Sequence, residues 1–263
     1  MLKITFVFLF CLLSMAVVYS QDDAAELAKK LSNPVSSLIS VPFQNNTDYG
    51  IGDFRGSRNT MNIQPVVPVS LSSKVNLITR LIMPVISQNN ITGHDEKQSG
   101  LGDFVLSGFF SPKETKNGIT WGAGPAFLLP TGTNDYLTSK KFGMGPTAVA
   151  LKQVNGWTFG ALGNQIWSVA GDKDRSAVSQ MFLQPFAFYN WKSGAGLGVN
   201  MEYTQNWETG TGTIFLNPLL SGVTALGSQK VQLGVGPRIN IAAPSGARSD
   251  LGWRAVLVLL FPK

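Results

Sequence analysis

The chain alternates apolar and polar residues along about a dozen short segments, and each segment ends in a polar or glycine-rich break. Beyond the first twenty residues, no apolar run is long enough to cross a membrane as an α-helix. Backbone N–H and C=O groups cannot stay unpaired in lipid, so a spanning chain forms either helices or a closed barrel. The alternation favours a barrel, because period two places apolar and polar side chains on opposite sides of a sheet.

The breaks between segments predict twelve strands, an even number that is typical of single-chain bacterial outer-membrane barrels. The predicted fold class is therefore all-β: a closed antiparallel transmembrane β-barrel of about 12 strands with a short N-terminal helix or plug. The segment 35–49 is either the first strand or part of the plug. The predicted strands are 35–49, 58–71, 75–88, 99–111, 118–131, 141–153, 156–170, 176–191, 194–207, 212–226, 229–242 and 250–261.

The polar side of the alternation predicts which residues face the lumen. In the segment 58–71, for example, Asn62 and Gln64 oppose an apolar face that contains Met61 and Ile63. The side of Arg80 is ambiguous, because apolar Ile78 and Ile82 share its face. Charged members of the lumen wall either set ion selectivity or brace the wall as ion pairs. The candidate lumen-lining residues are Asn62, Gln64, Asp103, Asn200, Glu202, Gln232, Arg238, Asn240 and Arg254.

The tryptophans predict two membrane interfaces, since aromatic girdles mark both lipid–water boundaries of a barrel. All six lie near predicted strand ends. Trp121, Trp157 and Trp191 fall at one rim, and Trp167, Trp207 and Trp253 at the other. Tryptophans scattered through a soluble core are the alternative.

The connections also alternate in length, as short periplasmic turns and longer outer loops do in barrels. The break at 112–117 does not fit, because it is long where a short turn is expected. Prolines in nearly every strand also count against a regular ladder, since proline donates no ladder hydrogen bond. They are expected to mark bulges or gaps. These prolines are Pro65, Pro84, Pro125, Pro146, Pro185, Pro218 and Pro237.

The N-terminal region predicts export. A signal peptide over 1–20 is indicated by Lys3, by an apolar run over 4–18 and by a small-residue cleavage site before Gln21. A membrane anchor helix is the alternative. The following segment, with acids first and Lys29 and Lys30 last, favours a short helix over 22–32 that Pro34 ends. The predicted organisation is a signal peptide at 1–20, a periplasmic arm or plug at 21–34 and an outer-membrane barrel at 35–263.

Composition excludes several other classes of function. The net charge of +6 is scattered among the breaks rather than gathered in a basic stripe, so we expect no nucleic-acid partner. Cys11 is the only cysteine and lies in the predicted signal, so the mature chain has no thiol chemistry. His94 is the only histidine and lies in a polar loop, so we expect no catalytic residues and no enzymatic activity. No metal site and no cofactor are expected either.

Seven runs of residues resemble a known family. The matching runs are NPVSSLISVPFQNN (33–46), NIQPVVPVSL (62–71), SGLGDFVLSGFFSPK (99–113), WGAGPAFLLPT (121–131), FGMGPTAVALKQ (142–153), GWTFGAL (156–162) and LLFPK (259–263). They resemble the bacterial outer-membrane β-barrel family labelled as phenol-degradation meta-pathway proteins or transporters.

The resemblance implies a channel or transporter in the outer membrane of a Gram-negative bacterium. It implies porin-like passage of small, apolar or aromatic solutes, with the lipid bilayer as the other partner. Both chain termini would then be periplasmic. A non-conducting barrel with a structural or surface-interaction role is the alternative, and the oligomeric state stays open.

Overall fold

The computed structural model describes residues 21–115 and 117–262. The predicted signal peptide lies outside these residues. In this part the chain forms a closed antiparallel β-barrel of twelve strands, preceded by one short helix, as predicted. No helix in these two ranges is both long and apolar enough to cross a membrane.

The elements follow the predicted order, and three strands are interrupted. The helix is α1 (Gln21–Leu31), and the strands are β1 (Ile39–Ile51), β2 (Gly56–Ile63, continued by Val66–Ser70), β3 (Val75–Asn89), β4 (Lys97–Leu101, continued by Phe104–Pro112), β5 (Ile119–Leu129), β6 (Lys141–Val154), β7 (Trp157–Gly171), β8 (Ser179–Asn190), β9 (Ala195–Asn206), β10 (Thr211–Leu226), β11 (Gln229–Pro237, continued by Ile239–Ala242) and β12 (Leu251–Phe261).

Each strand pairs with the next along the chain, and β12 closes the barrel by pairing with β1 from Ile39 opposite Phe261 to Tyr49 opposite Leu251. The start of the first strand differs from the prediction, because β1 begins at Ile39 rather than at residue 35. The reason is packing: Val35 and Leu38 are buried against side chains inside the barrel, so they extend the plug instead of the sheet.

The prolines lie at gaps in the ladder. Pro125 of β5 faces Pro146 of β6, and on both outer sides of this pair the regular pairing skips two residues. Pro65 and Pro237 lie where β2 and β11 are interrupted. Proline has no N–H to donate, so backbone hydrogen bonds between neighbouring strands are missing at these positions while the barrel stays closed.

The two faces of the barrel have opposite chemistry. On β12, Trp253 is 50% exposed on the outside, whereas the next residue, Arg254, is 1% exposed on the inside. The same contrast recurs on β11, where Leu233 and Val235 are exposed while Gln232 lines an interior cavity. An apolar outer surface around a polar interior is the arrangement of a membrane barrel.

The helix α1 and the segment 32–38 form a plug at one end of the barrel. Leu27 of α1 is buried with Leu38, Val258 and Leu260, while Val35 is buried with inward-facing residues of β3, β4, β6, β7 and β8. The Asn190 side chain donates to the Ser32 hydroxyl over 2.8 Å. On the exposed side of the helix, a hydrogen bond from Lys30 lowers the pKa of the Glu26 carboxyl, which favours the charged pair.

Candidate functional site

Two adjoining cavities occupy the barrel interior. The loop-side cavity measures about 420 Å³ and reaches the loop between β11 and β12, where Gly246, Ala247 and Ser249 contribute to its wall. The plug-side cavity measures about 210 Å³ and lies against residues 30–36 of the plug. The two cavities share four wall residues, which are Gln44, Gln64, Arg80 and Gln184. Polar side chains from β1, β2, β3 and β8 therefore lie at their junction.

Four charged side chains form a linked chain across the interior, which we call the ion-pair chain. Glu202 of β9 accepts from Arg254 of β12 and from Arg238 of β11, each over 2.7 Å. Arg238 also lies 3.3 Å from the carboxylate of Asp48 in β1. The charges therefore alternate in sign along the ion-pair chain, in the order Asp48, Arg238, Glu202 and Arg254, and neutralise one another.

Amides and one aromatic ring surround the ion-pair chain. Arg254 donates to the side-chain oxygen of Asn46 over 2.7 Å, and Arg238 donates to that of Asn217 over 3.1 Å. The guanidinium of Arg238 also lies 3.5 Å from the centre of the Phe215 ring, a cation–π contact. These partners replace much of the water that the buried charges lose. Among the described atoms, Asp48 Oδ1 is buried without a hydrogen-bond partner.

Two further arginines line the loop-side cavity outside the ion-pair chain. Arg58 donates to the side-chain oxygen of Gln88 over 2.9 Å, and Arg80 donates to that of Gln64. Among residues 21–115 and 117–262, neither guanidinium lies within ion-pair distance of a carboxylate. Four interior arginines thus face two interior carboxylates, so the arginines exceed the carboxylates by two.

The plug-side cavity has an apolar wall. Phe186 and Phe188 of β8 lie in it with ring centres 5.8 Å apart. Leu162, Val256 and Val258 are among the other apolar residues of this wall. Phe182, on the same inward face of β8, lines the loop-side cavity. Inward phenyl rings therefore lie on both sides of the junction, with Gln184 between Phe182 and Phe186 on the same face of β8.

The structure places the predicted lumen residues in two groups. Asn240 and Asp103 do not contribute to either cavity wall. Asn240 lies near Ser249 at the loop end of β11, while Asp103 holds a loop. The residues that line a cavity are Asn62, Gln64, Asn200, Glu202, Gln232, Arg238 and Arg254.

Several residues of the cavity walls lie outside the set of lumen-lining residues that the sequence predicts. Gln44, Asn46 and Asp48 lie in the segment that was assigned either to a strand or to the plug. Arg80 faces inward together with Ile82, and Ile78 is buried against the plug, so the inner face is locally apolar. Alternation could not have found the first group, because the run QNNTD (44–48) is polar throughout.

Asp103 lies in the interruption of β4 and holds the loop between β5 and β6. Its carboxylate accepts from the backbone N–H groups of Gly132 and Ser139 and from the hydroxyls of Thr138 and Ser139, over 2.6–3.1 Å. The bonds satisfy both carboxylate oxygens. In a neighbouring loop, His94 is exposed and packs its ring edge-on against Phe54, with ring centres 5.1 Å apart.

The six tryptophans are all 41–54% exposed. Three lie at the plug end of their strands and three at the opposite end. At the plug end, Trp157 packs against Phe159 and Tyr189, and Tyr189 packs against Trp191. At the loop end, the Trp207 indole donates to Gln165 over 2.9 Å. Half-exposed rings with a polar handle suit a boundary between lipid and water.

Comparisons with known proteins agree with this architecture. No protein-family model matches the chain, and no curated protein matches its sequence. The fold is similar to that of an outer membrane channel from Pseudomonas putida F1, with a TM-score of 0.66 and 16% identity over 85% of this chain and 94% of that chain. An outer membrane phospholipase dimer from Salmonella typhi is more distant, with a TM-score of 0.48 and 10% identity over 93% and 99%. The chain therefore has the fold of an outer-membrane β-barrel.

Proposed function

We propose that this chain is an outer-membrane channel that passes small solutes through the barrel interior. The observation that carries the proposal is the pair of adjoining cavities, which together run from the loop between β11 and β12 to the N-terminal plug. The apolar outer face and the two tryptophan rims support a bilayer as the surrounding medium. The fold shared with an outer membrane channel supports the same role.

The chain organisation fits export to that membrane. Residues 1–20 would be removed as a signal, 21–38 would form the plug, and the barrel would follow. The tight connections 155–156 and 227–228 lie at the plug end, whereas the longer loops 90–96, 130–140 and 243–250 lie at the opposite end. Short turns are periplasmic in such barrels, so both termini would be periplasmic.

The solute is proposed to be small and apolar or aromatic. The phenyl rings of Phe182, Phe186 and Phe188 offer an apolar track along one side of the interior. The resemblance of the sequence to the phenol-degradation meta-pathway family favours the same class of solute. The neutral ion-pair chain, whose members come from β9, β11, β12 and β1, would hold the barrel open without binding such a solute tightly.

Channel recording tests this function. The mature protein, refolded in detergent and confirmed as a barrel by its heat-dependent gel mobility, is inserted into planar lipid bilayers. We expect a small conductance that rises when residues 21–34 are deleted, because the deletion removes α1 from the end of the lumen. Zero conductance in both proteins would contradict a channel and favour a structural or surface-interaction barrel.

Catalysis is the weaker candidate. The chain's only histidine, His94, is exposed in a loop and contacts Phe54 rather than a nucleophile. An esterase or protease would need a base held beside its nucleophile by rigid strands. We expect a His94→Ala barrel to keep the conductance of the wild type. Loss of conductance in this variant would contradict the assignment of His94 as a loop residue without a role in function.

A further inference from the structure

We propose that the junction of the two cavities binds a small amphipathic carboxylate, with its charged group at Arg80 and its apolar body along the phenylalanines of β8. The inference rests on the proposed function, since it names the solute class for the same interior. It narrows that class from apolar or aromatic molecules to those that carry one negative charge.

The charge balance of the interior is the first support. Glu202 and Asp48 form ion pairs with Arg238 and Arg254 and none with Arg58 or Arg80, and the four arginines outnumber the two carboxylates by two. A partly enclosed guanidinium that has only amide partners attracts anions and repels cations. Arginine also presents a planar set of donors that matches a carboxylate, which makes it the better anchor for this group than lysine.

Position is the second support. Arg80 lines both cavities, together with Gln44, Gln64 and Gln184. A ligand bound there could accept from Arg80 and from glutamine amides while its other end lay in either cavity. Phe182 lies on the loop side of the junction, and Phe186 and Phe188 lie on the plug side. Charged and apolar recognition therefore meet at one place, as they do in sites for amphipathic ligands.

The geometry disfavours the other simple ligand classes. A cation would meet three arginines and only two carboxylates in the wall of the loop-side cavity. A neutral aromatic molecule would contact the phenyl rings but would offer no negative charge to the Arg80 guanidinium. An inorganic anion would satisfy Arg80 but would gain nothing from the phenyl rings.

Equilibrium binding to the full barrel in lipid nanodiscs, measured by calorimetry, tests the inference without requiring flux. The probes are benzoate, benzyl alcohol as an uncharged aromatic of similar size, and acetate as a carboxylate without an aromatic body. We expect benzoate to bind at least 10-fold more tightly than either of the other two. Equal affinities for benzoate and benzyl alcohol, or for benzoate and acetate, would overturn the proposal.

Three variants locate the site. Arg80→Gln is expected to weaken benzoate binding about 10-fold and to leave benzyl alcohol binding unchanged, while Arg80→Lys retains part of the benzoate preference. Arg248→Gln removes the same charge from an exposed loop residue and should change neither probe. Unchanged benzoate binding in a heat-modifiable Arg80→Gln barrel would overturn the assignment. A barrel that conducts without selecting benzoate contradicts only this inference, whereas one that binds benzoate and never conducts contradicts only the channel.

Discussion

Arg254 and Glu202 are joined by a 2.7 Å ion pair even though two strands, β10 and β11, lie between the strands that carry them. The Arg254 side chain is 2% exposed and that of Glu202 is 14% exposed, so the pair is largely shielded from water. The pair therefore connects β9 and β12 directly from the inside of the barrel. The backbone hydrogen bonds connect these two strands only through β10 and β11.

Replacing Glu202 by Gln should destabilise the barrel, because it leaves the buried Arg238 and Arg254 without the carboxylate that they share. Breaking a buried ion pair from one side costs roughly 3–5 kcal/mol. The measurement is the free energy of unfolding in guanidinium chloride, with the protein folded into lipid vesicles. Glu208→Gln, on an exposed loop, removes the same charge and should change this free energy little. Equal stabilities of the two variants would refute the bracing role.

A charge on the outer face should be far less tolerated than one on the inner face of the same strand. Leu233 of β11 is 47% exposed on the outside, and its neighbour Gln232 lines the plug-side cavity. Leu233→Arg should lower the free energy of unfolding in vesicles by about 2–4 kcal/mol, as a charge near the bilayer midplane does. Gln232→Arg is the matched control and should lose clearly less. If the order were reversed, the lipid-facing assignment would be wrong.

The plug should loosen when its apolar anchor is shortened. Leu27 is 6% exposed and packs against Leu38, Val258 and Leu260. Truncating a buried leucine to alanine typically costs 2–5 kcal/mol, which here weakens the docking of α1 rather than the barrel ladder. Leu27→Ala should therefore raise the conductance or the frequency of openings in planar bilayers. Lys29→Ala, on the exposed side of the helix, should not, and the same increase in both would argue against this anchor.

The loop between β5 and β6 should become accessible to proteases when Asp103 is replaced by Asn. The amide keeps the size of the side chain but loses the negative charge that attracts four donors. Hydrogen bonds to a charged group contribute about 1.5–3 kcal/mol each, so several bonds weaken together. Limited proteolysis of the folded barrel should show new cleavage within 130–140.

A surface acid in the same loop provides the control for that experiment. The carboxylate of Asp135 is 73% exposed and pairs with Lys140 over 2.8 Å. Such exposed pairs stabilise little. Asp135→Asn should therefore leave the digestion pattern as in the wild type. Resistance of the Asp103→Asn loop to cleavage would show that the loop is held by its own backbone instead.

Most of the architecture could be predicted from the sequence because period two is a local signal. Each strand carries its own alternation, as Leu233 and Gln232 illustrate, and the alternation fixes both the strand and its two faces. The twelve strands could therefore be predicted without any knowledge of their partners, and the order of charges before Pro34 predicted the short N-terminal helix in the same local way. The start of β1 was missed because Val35 and Leu38 are apolar for contacts with distant residues, and local alternation cannot report such contacts.

The interior was less predictable for the same reason. That Glu202 joins Arg238 and Arg254 depends on which strands lie side by side around the closed barrel, and on how far each side chain reaches. The inward position of Arg80 was ambiguous because its neighbours on that face are isoleucines that pack against the plug or line the cavity. Where the plug covers the inner wall, inward positions can be apolar. The alternation of polar and apolar residues then no longer identifies the inner face.

The plug also sets an order of assembly. Leu27 and Leu38 belong to the first residues after the predicted signal, yet they are buried against Val258 and Leu260 near the other end of the chain. These contacts cannot form until the last strand, which carries Val258 and Leu260, has been made. Leu27 and Leu38 thus reach their native environment only after residues more than 200 positions later in the chain have been made. A cell that folds this protein must keep the segment 21–38, with its apolar Leu27 and Leu38, undocked throughout that interval.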